Sequence, residues 1–166
     1  LLLDINTDGL DNFCSSLNLK YKSSATFKTV DITDEESVQE ASQEIYNQHS
    51  FIDGLINNAA NNPSVNANGT NFSRLENFSL EQWHKDINVG LTGSFLCSKH
   101  FGHSISKNPN GGVIVNISSD LGLIAPDQSL YARHGVPDDK QDVKPITYSV
   151  VKTGLIGLTR YLATYW

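Results

Sequence analysis

The chain of 166 residues contains no methionine, two cysteines and no run of basic residues, and each scarcity closes off a class of function. Cys14 and Cys97 lack metal-like spacing and the five histidines form no H-x-x-x-H pair, so no metal site is expected and both thiols read as free and mostly buried. Lys and Arg number 12 against 18 Asp and Glu, which gives a net charge of -6. With that charge and no stripe of basic and aromatic residues, a nucleic-acid partner is disfavoured. No stretch approaches the ~18 apolar residues of a membrane span, and the start lacks the basic head of a signal peptide. The expected location is cytoplasmic. Asn-x-Ser/Thr triplets at Asn68, Asn71, Asn77 and Asn116 read as coincidence in an Asn-rich chain. The missing methionine extends to position 1, the chain opens inside an apolar strand, and it closes on Trp166 inside a helical pattern with no stop signal. Both ends read as cut.

What is present is ordinary globular composition, enough for one domain with a core. Leu1 to Ile5 reads as a strand end, and Asp8 to Asn18 as a helix with Leu10, Phe13, Cys14 and Leu17 at helical spacing. Ala25 to Val30 is a second strand. Thr33-Asp-Glu-Glu36 has the form of a capping box opening a helix to about Gln48, with Val38, Ala41, Ile45 and Tyr46 inward. Phe51 to Asn57 is a third strand whose Leu55-Ile56 run suits burial on both faces. Asn61 to Asn77 is polar and without pattern, a long loop. Ser79-x-x-Gln82 caps a helix running to roughly Ser106, Gly111-Gly112 punctuates, and Val113 to Ile117 is a fourth strand. A second long connection, Asp120 to Ile146, leads to a helix from about Thr147 to the end. Strands alternating with helices imply a parallel sheet covered on both sides.

The chemistry sits at Tyr148-Ser-Val-Val-Lys152. Four residues apart on a helix, the two side chains share a face, and an ammonium near a phenol favours the phenolate, drawing down a pKa that starts near ~10. Alone, the spacing is weak. It stands in ordered company: Asp4 after Leu1-Leu-Leu3, Asp31, Asn57-Asn-Ala-Ala60, Asn88 in Ile-Asn-Val-Gly, and Val113-Ile-Val-Asn-Ile-Ser-Ser119.

Together these motifs resemble the classical short-chain dehydrogenase/reductase family over nearly the whole chain. The resemblance implies an α/β fold, a doubly wound parallel Rossmann-like sheet with strand order beginning 3-2-1-4-5. Aligned by motif, the chain starts at the second strand, so the expectation is a single partial domain, 1–166. It would lack the first strand, its Gly-rich turn and the family's last strands, and would be inactive in isolation. The resemblance makes Asn88, Ser119, Tyr148 and Lys152 a catalytic tetrad. It implies NAD bound by Asp4, Asp31, Ile32, Asn58, Ala59, Tyr148 and Lys152. Asp4, at a strand end, would accept the ribose hydroxyls and repel a 2'-phosphate, which favours NAD over NADP. Asp31 and Ile32 would meet the adenine, Asn57 would brace the sheet, and the small Ala59 would let the backbone approach the cofactor.

The implied activity is hydride transfer between nicotinamide and a polar secondary alcohol or ketone, a sugar derivative among the candidates. Ala125-Pro-Asp-Gln128 and the Tyr148 to Trp166 stretch look like a bacterial subgroup concerned with flagellin modification and surface sugars. Each residue also has a plainer reading: Ser119 as a turn cap, Asn88 as a back-bonding helix residue, Asp4 as a cap for the helix near Asp8. The added segment Leu121 to Pro145 carries Tyr131, Arg133, His134, Lys140 and Lys144 against Asp127, Asp138, Asp139 and Asp142, which suits either a polar or anionic substrate or a solvated surface loop. A non-catalytic binding or scaffolding protein derived from the family is the competing reading. The resemblance further implies a homodimer or homotetramer. Phe95, Leu96, Phe101, Leu158 and Tyr161 would serve either that interface or the internal core.

Overall fold

A computed structural model describes residues 1–61 and 73–166. Most of the loop expected from Asn61 to Asn77 lies outside the described residues, as do Asn68 and Asn71. The chain divides into two compact units, 1–55 with 96–114, and 56–95 with 115–166.

In the first unit, β1 (Leu2–Asp4) leads to α1 (Thr7–Tyr21), β2 (Phe27–Thr29) and α2 (Glu35–His49). β1 and β2 run parallel with Asp4 opposite Thr29, a connection that needs a crossover helix, which α1 supplies. Asn6 caps α1, its side chain accepting from Gly9 N, so the cap is Asn6 and not Asp4. Asp4 instead accepts the Asn6 N–H at 2.9 Å and braces the turn before the helix. The capping box expected at Thr33 is also displaced by one residue. Asp34 is the N-cap, accepting from Glu36 N, because the Thr33 hydroxyl donates to Asp31 Oδ1 at 2.7 Å and is already engaged.

The core of this unit joins Val30, Val38, Ala41 and Ile45 to Leu96, Cys97 and Phe101, with Leu3, Ile32, Ile52 and Leu55 packed against it. Leu96 and Phe101 therefore belong to the interior, where each contributes about 1.5–3 kcal/mol of burial. Phe95 and Tyr161, by contrast, are 49% and 61% exposed.

β3 (Gly54–Asn57) pairs with β4 (Val113–Asn116). Val113 N donates to Asp53 O and Ile117 N to Asn57 O, and the equal advance along both strands makes the pair parallel. Among the described residues β1-β2 and β3-β4 form two separate two-stranded sheets. The expectation that Leu55-Ile56 is buried on both faces is not met. Successive strand residues point to opposite faces, and while Leu55 joins the core, no described element covers Ile56, which is 67% exposed.

The second unit contains α3 (Leu80–Ile87), capped by Ser79 accepting from Gln82 N as the sequence indicates, and the start of α4 (Gly93–Ser106). The single helix expected from Ser79 to Ser106 is interrupted by a π turn over Asn88–Thr92, where Gly93 N bonds to Asn88 O five residues back. Here the helix meets α5 (Ile146–Tyr165) closely: a Cβ on Gly90 would fall 2.6 Å from Val151 Cγ1. The long connection before α5 is broken by short 3-10 turns at Asp120–Gly122, Gln128–Tyr131 and Asp138–Lys140. Among the described residues no helix is long and apolar enough to cross a membrane.

Both cysteines are free and buried. Burial pushes the Cys97 thiol up to about 11, so at pH 8 it is almost wholly protonated. Cys97 is therefore expected to resist an aromatic disulfide reagent in the native protein and to react only on unfolding. Rapid native labelling, located by peptide mapping to Cys97, would contradict its place in the core.

Candidate functional site

Lys152 is the anchor of the second unit's site. Only 7% exposed, it extends from α5 and donates from Nζ to Ile117 O at 2.6 Å, just past the end of β4. Its own carbonyl accepts the Ser118 hydroxyl at 2.7 Å, and one residue on, Thr153 Oγ1 donates to Gly122 O at 3.0 Å. Gly122 lies so close that a Cβ there would sit 2.8 Å from the Lys152 carbonyl carbon. These contacts fix the segment 117–122 against one turn of α5, with Ser119 in its middle. A buried ammonium needs such partners, since leaving it unpaired costs several kcal/mol.

Tyr148 stands one turn before Lys152 on the same face, half-buried, with the Lys152 Nζ 5.7 Å from its ring centroid. A second cation, the Lys144 ammonium, lies over the ring at 3.6 Å. The structure thus brings Tyr148, Lys152 and the Ser119 segment together.

Ser119 is placed as a turn cap. Its Oγ accepts from Leu121 N at 3.2 Å and donates to Asp120 Oδ1 at 2.7 Å. Donation from the Ser119 hydroxyl, then from the Leu121 N–H, holds the exposed Asp120 carboxyl below the ordinary carboxylate range. Asn88 begins the π turn, with an exposed side chain. It is not among the residues lining a cavity of about 20 Å³ formed by Asp86, Gly90, Thr147, Tyr148, Val151 and Lys152 with their neighbours, a space with room for one water.

Asp86 was not singled out from the sequence. It is 3% exposed and its carboxylate joins three segments: Oδ1 accepts from Asn61 Nδ2 and Gln82 Nε2, both at 2.6 Å, and Oδ2 from Thr147 Oγ1 at 2.5 Å. Thr147 immediately precedes Tyr148, so this carboxylate holds the first turn of α5 in place. Its spacing, two residues before Asn88 on a helix otherwise rich in polar residues, gave no sign of burial. Asn57, 7% exposed, works similarly, donating to Asn116 Oδ1 at 2.8 Å across the β3-β4 pair.

The expected cofactor residues fall in both units. Asp4 ends β1 and Asp31 follows β2, so both stand at the C-terminal ends of parallel strands, where doubly wound folds bind ligands. Both carboxylates are exposed, with Asp31 Oδ1 bracing Thr33 N at 2.8 Å. Ile32 is partly buried against the core. Asn58 and Ala59 follow β3 and are exposed. Exposed carboxylates at strand ends fit a ligand rich in hydroxyl and amino donors. Among the described residues no group of three or more His, Cys, Asp or Glu side chains could hold a metal.

Parallel strands joined by crossover helices, with Tyr and Lys paired on the helix after the last strand, define a Rossmann-like α/β protein. Consistent with this, a family model described as short chain dehydrogenase matches residues 1–132, and the chain belongs to that family. It is 33% identical over 144 residues to the 3-oxoacyl-[acyl-carrier-protein] reductase FabG of Aquifex aeolicus, covering 87% of this chain and 48% of that protein. It is 28% identical over 165 residues to the post-translational flagellin modification protein A of Campylobacter coli, covering 98% and 59%. Among solved structures, that of gox2181 superposes with a TM-score of 0.79 at 24% identity, covering 99% of this chain and 55% of that one. The chain spans about half the length of the relatives it matches.

Two outcomes follow. Asp86→Ala strands three donors and is expected to lower stability by about 3 kcal/mol, read from urea melts, with Asp86→Asn costing less because one acceptor oxygen remains. Equal loss in both variants would argue against the carboxylate's bracing role. Because the Asp120 carboxyl is lowered on folding, its stabilising contribution is present above the ordinary carboxylate range and is lost as pH falls through the folded value. Ser119→Ala should move the Asp120 midpoint upward in a carbon-13 carboxyl titration, and an unmoved midpoint would show that the hydroxyl does not set it.

Proposed function

We propose that this chain forms the acid/base centre of an NAD-dependent oxidoreductase that interconverts a polar secondary alcohol and its ketone. The observation that carries the reading is Tyr148 and Lys152 on one face of α5, with the ammonium 5.7 Å from the phenol ring and fixed by Ile117 O. A nicotinamide cofactor, when bound, supplies or accepts the hydride.

Tyr148 gives its phenolic proton to the carbonyl oxygen in reduction and takes the hydroxyl proton in oxidation. Lys152 keeps its ammonium beside the Tyr148 ring and meets the nicotinamide ribose. Ser119, once its hydroxyl turns from Asp120, donates to the same oxygen as negative charge develops there. The family resemblance alone supports a role for Asn88 in a water link from Lys152 to solvent, since Asn88 does not line the small cavity beside Lys152. Asp4 accepts the adenosine ribose hydroxyls and disfavours a 2'-phosphate, which makes NAD the cofactor; Asp31 and Ile32 take the adenine, and Asn58 and Ala59 line the approach. The name of the Campylobacter coli relative supports a part in flagellin modification, and the substrate proposed here is a sugar derivative. Exposed Phe95 and Tyr161 support assembly as a homodimer or homotetramer, and the proposed location is the cytoplasm.

The test is Tyr148→Phe in the full polypeptide that the gene encodes, screened against polyols and sugar derivatives with NAD. Turnover should fall by roughly 10²–10⁴-fold, the range of a lost general acid/base, while NADH affinity by fluorescence titration stays nearly unchanged. Undiminished turnover in the variant would remove Tyr148 from the mechanism.

A further inference from the structure

A larger cavity, about 390 Å³, opens beside the first turn of α5 and falls in the size range of small-molecule sites. Much of its lining is apolar, with Leu75, Pro126, Ile146 and Val150 contributing. Among the described residues two cations line it, and they differ. Arg74 is engaged, with Nη1 donating to Asp138 O at 2.9 Å and Nε 3.6 Å from Glu76 Oε2. Lys144 forms no ion pair with a carboxylate among the described residues; its ammonium rests on the face of the Tyr148 ring, 3.6 Å from the centroid.

The backbone that carries Lys144 is held firmly. Its N–H donates to Gln128 Oε1 at 2.8 Å, and the preceding Val143 N–H donates to Oγ of Ser73, a residue only 1% exposed. Further back in the same segment, Gln141 Nε2 donates to the carbonyls of Arg133 and Val136, and Arg133 Nη2 lies 2.7 Å from Asp142 Oδ2. The connection that the sequence left open between a binding loop and a solvated one is thus internally braced, and its buried carboxylate Asp142 is ion-paired with Arg133, without a hydrogen bond to that oxygen among the described residues. Ser149 also lines the cavity, and among the described residues its buried Oγ has no hydrogen-bond partner. A polar group left so in a lining is a donor for something else.

A cation over an aromatic face is held less strongly than one in a charge-assisted hydrogen bond, so an arriving oxyanion can take the ammonium. We propose that Lys144 anchors an oxyanion, carboxylate or phosphate, on a substrate whose apolar part occupies the 390 Å³ cavity. With the anion at Lys144, an oxygen a few bonds away on the same molecule is directed to Tyr148. That last step rests on the acid/base reading of Tyr148; the anion subsite does not.

The test is direct binding to the full polypeptide, with benzoate and phenyl phosphate as anionic probes and benzyl alcohol as the neutral control. The Lys144 ε-methylene signal, shielded by the Tyr148 ring, should move saturably with at least one anion. Lys144→Gln should weaken that anion by about tenfold or more, the loss of a charge-assisted contact, while Lys144→Arg retains most of the affinity and benzyl alcohol is indifferent to either change. A signal that neither anion moves, or an affinity unaltered in Lys144→Gln, would overturn the subsite, as would equal binding of benzyl alcohol. The same titration in Tyr148→Phe separates the two readings, since it keeps the ring beneath the ammonium and removes the phenol. Anion binding that persists there beside undiminished turnover would sink the acid/base role and leave the subsite standing, whereas anion binding that is lost in Lys144→Gln but kept in Tyr148→Phe supports the subsite whatever the turnover of either variant.

Discussion

The ammonium of Lys152 has left water and must be satisfied within the protein, and the geometry around it follows from that need. Its bond to Ile117 O ties the end of β4 to α5, and the bonds of Ser118 and Thr153 close the same junction from the other side. Because the charge is buried, the junction is costly to open, and a residue set within it, Ser119, inherits a narrow range of positions. Gly122 completes the arrangement, as only a residue without a side chain permits the backbones to come so close. The contacts that keep the Lys152 ammonium beside the Tyr148 ring are the ones that hold the segment together.

How much of this could be read from the sequence depended on whether a residue's signal was local. Tyr148 and Lys152 were legible because helical period alone puts them on one face, and Ser79 because a cap and its Gln82 partner lie within one turn. The parallel pairs were legible from the alternation of strand and helix. The cap of α2 was misplaced by one residue because Thr33 and Asp34 are both good caps and only the competing acceptor, Asp31, decides between them. The covering of Ile56 could not be judged, since strand pattern says which face a residue takes but not what lies over it.

Residues whose significance is wholly tertiary left no trace. Asp86 reads as one more charge on a polar helix until Asn61 and Thr147 are seen to converge on it. Lys144 reads as one of several scattered loop charges; the pairing of Arg133 with Asp142 is what singles it out. In both cases the informative fact is a neighbour distant in the chain, which composition and spacing do not carry. Ser119 shows the converse: its strand-to-turn position was legible, and its bond to Asp120 means that position and readiness are separate properties.

The π turn over Asn88–Thr92 has a consequence for how one length of helix divides its labour. In a π turn each hydrogen bond reaches five residues back rather than four, so Asn88 to Thr92 are wound more widely than the α-helical residues on either side. Before it, Asp86 points inward to meet Thr147; after it, Leu96, Cys97 and Phe101 point into an apolar core. Buried polar side chains lie on both sides of the turn, Asp86 before it and Ser94 and Ser98 after it. Asn88 stands at the start of the turn, and its exposed side chain is aimed by the backbone that carries it.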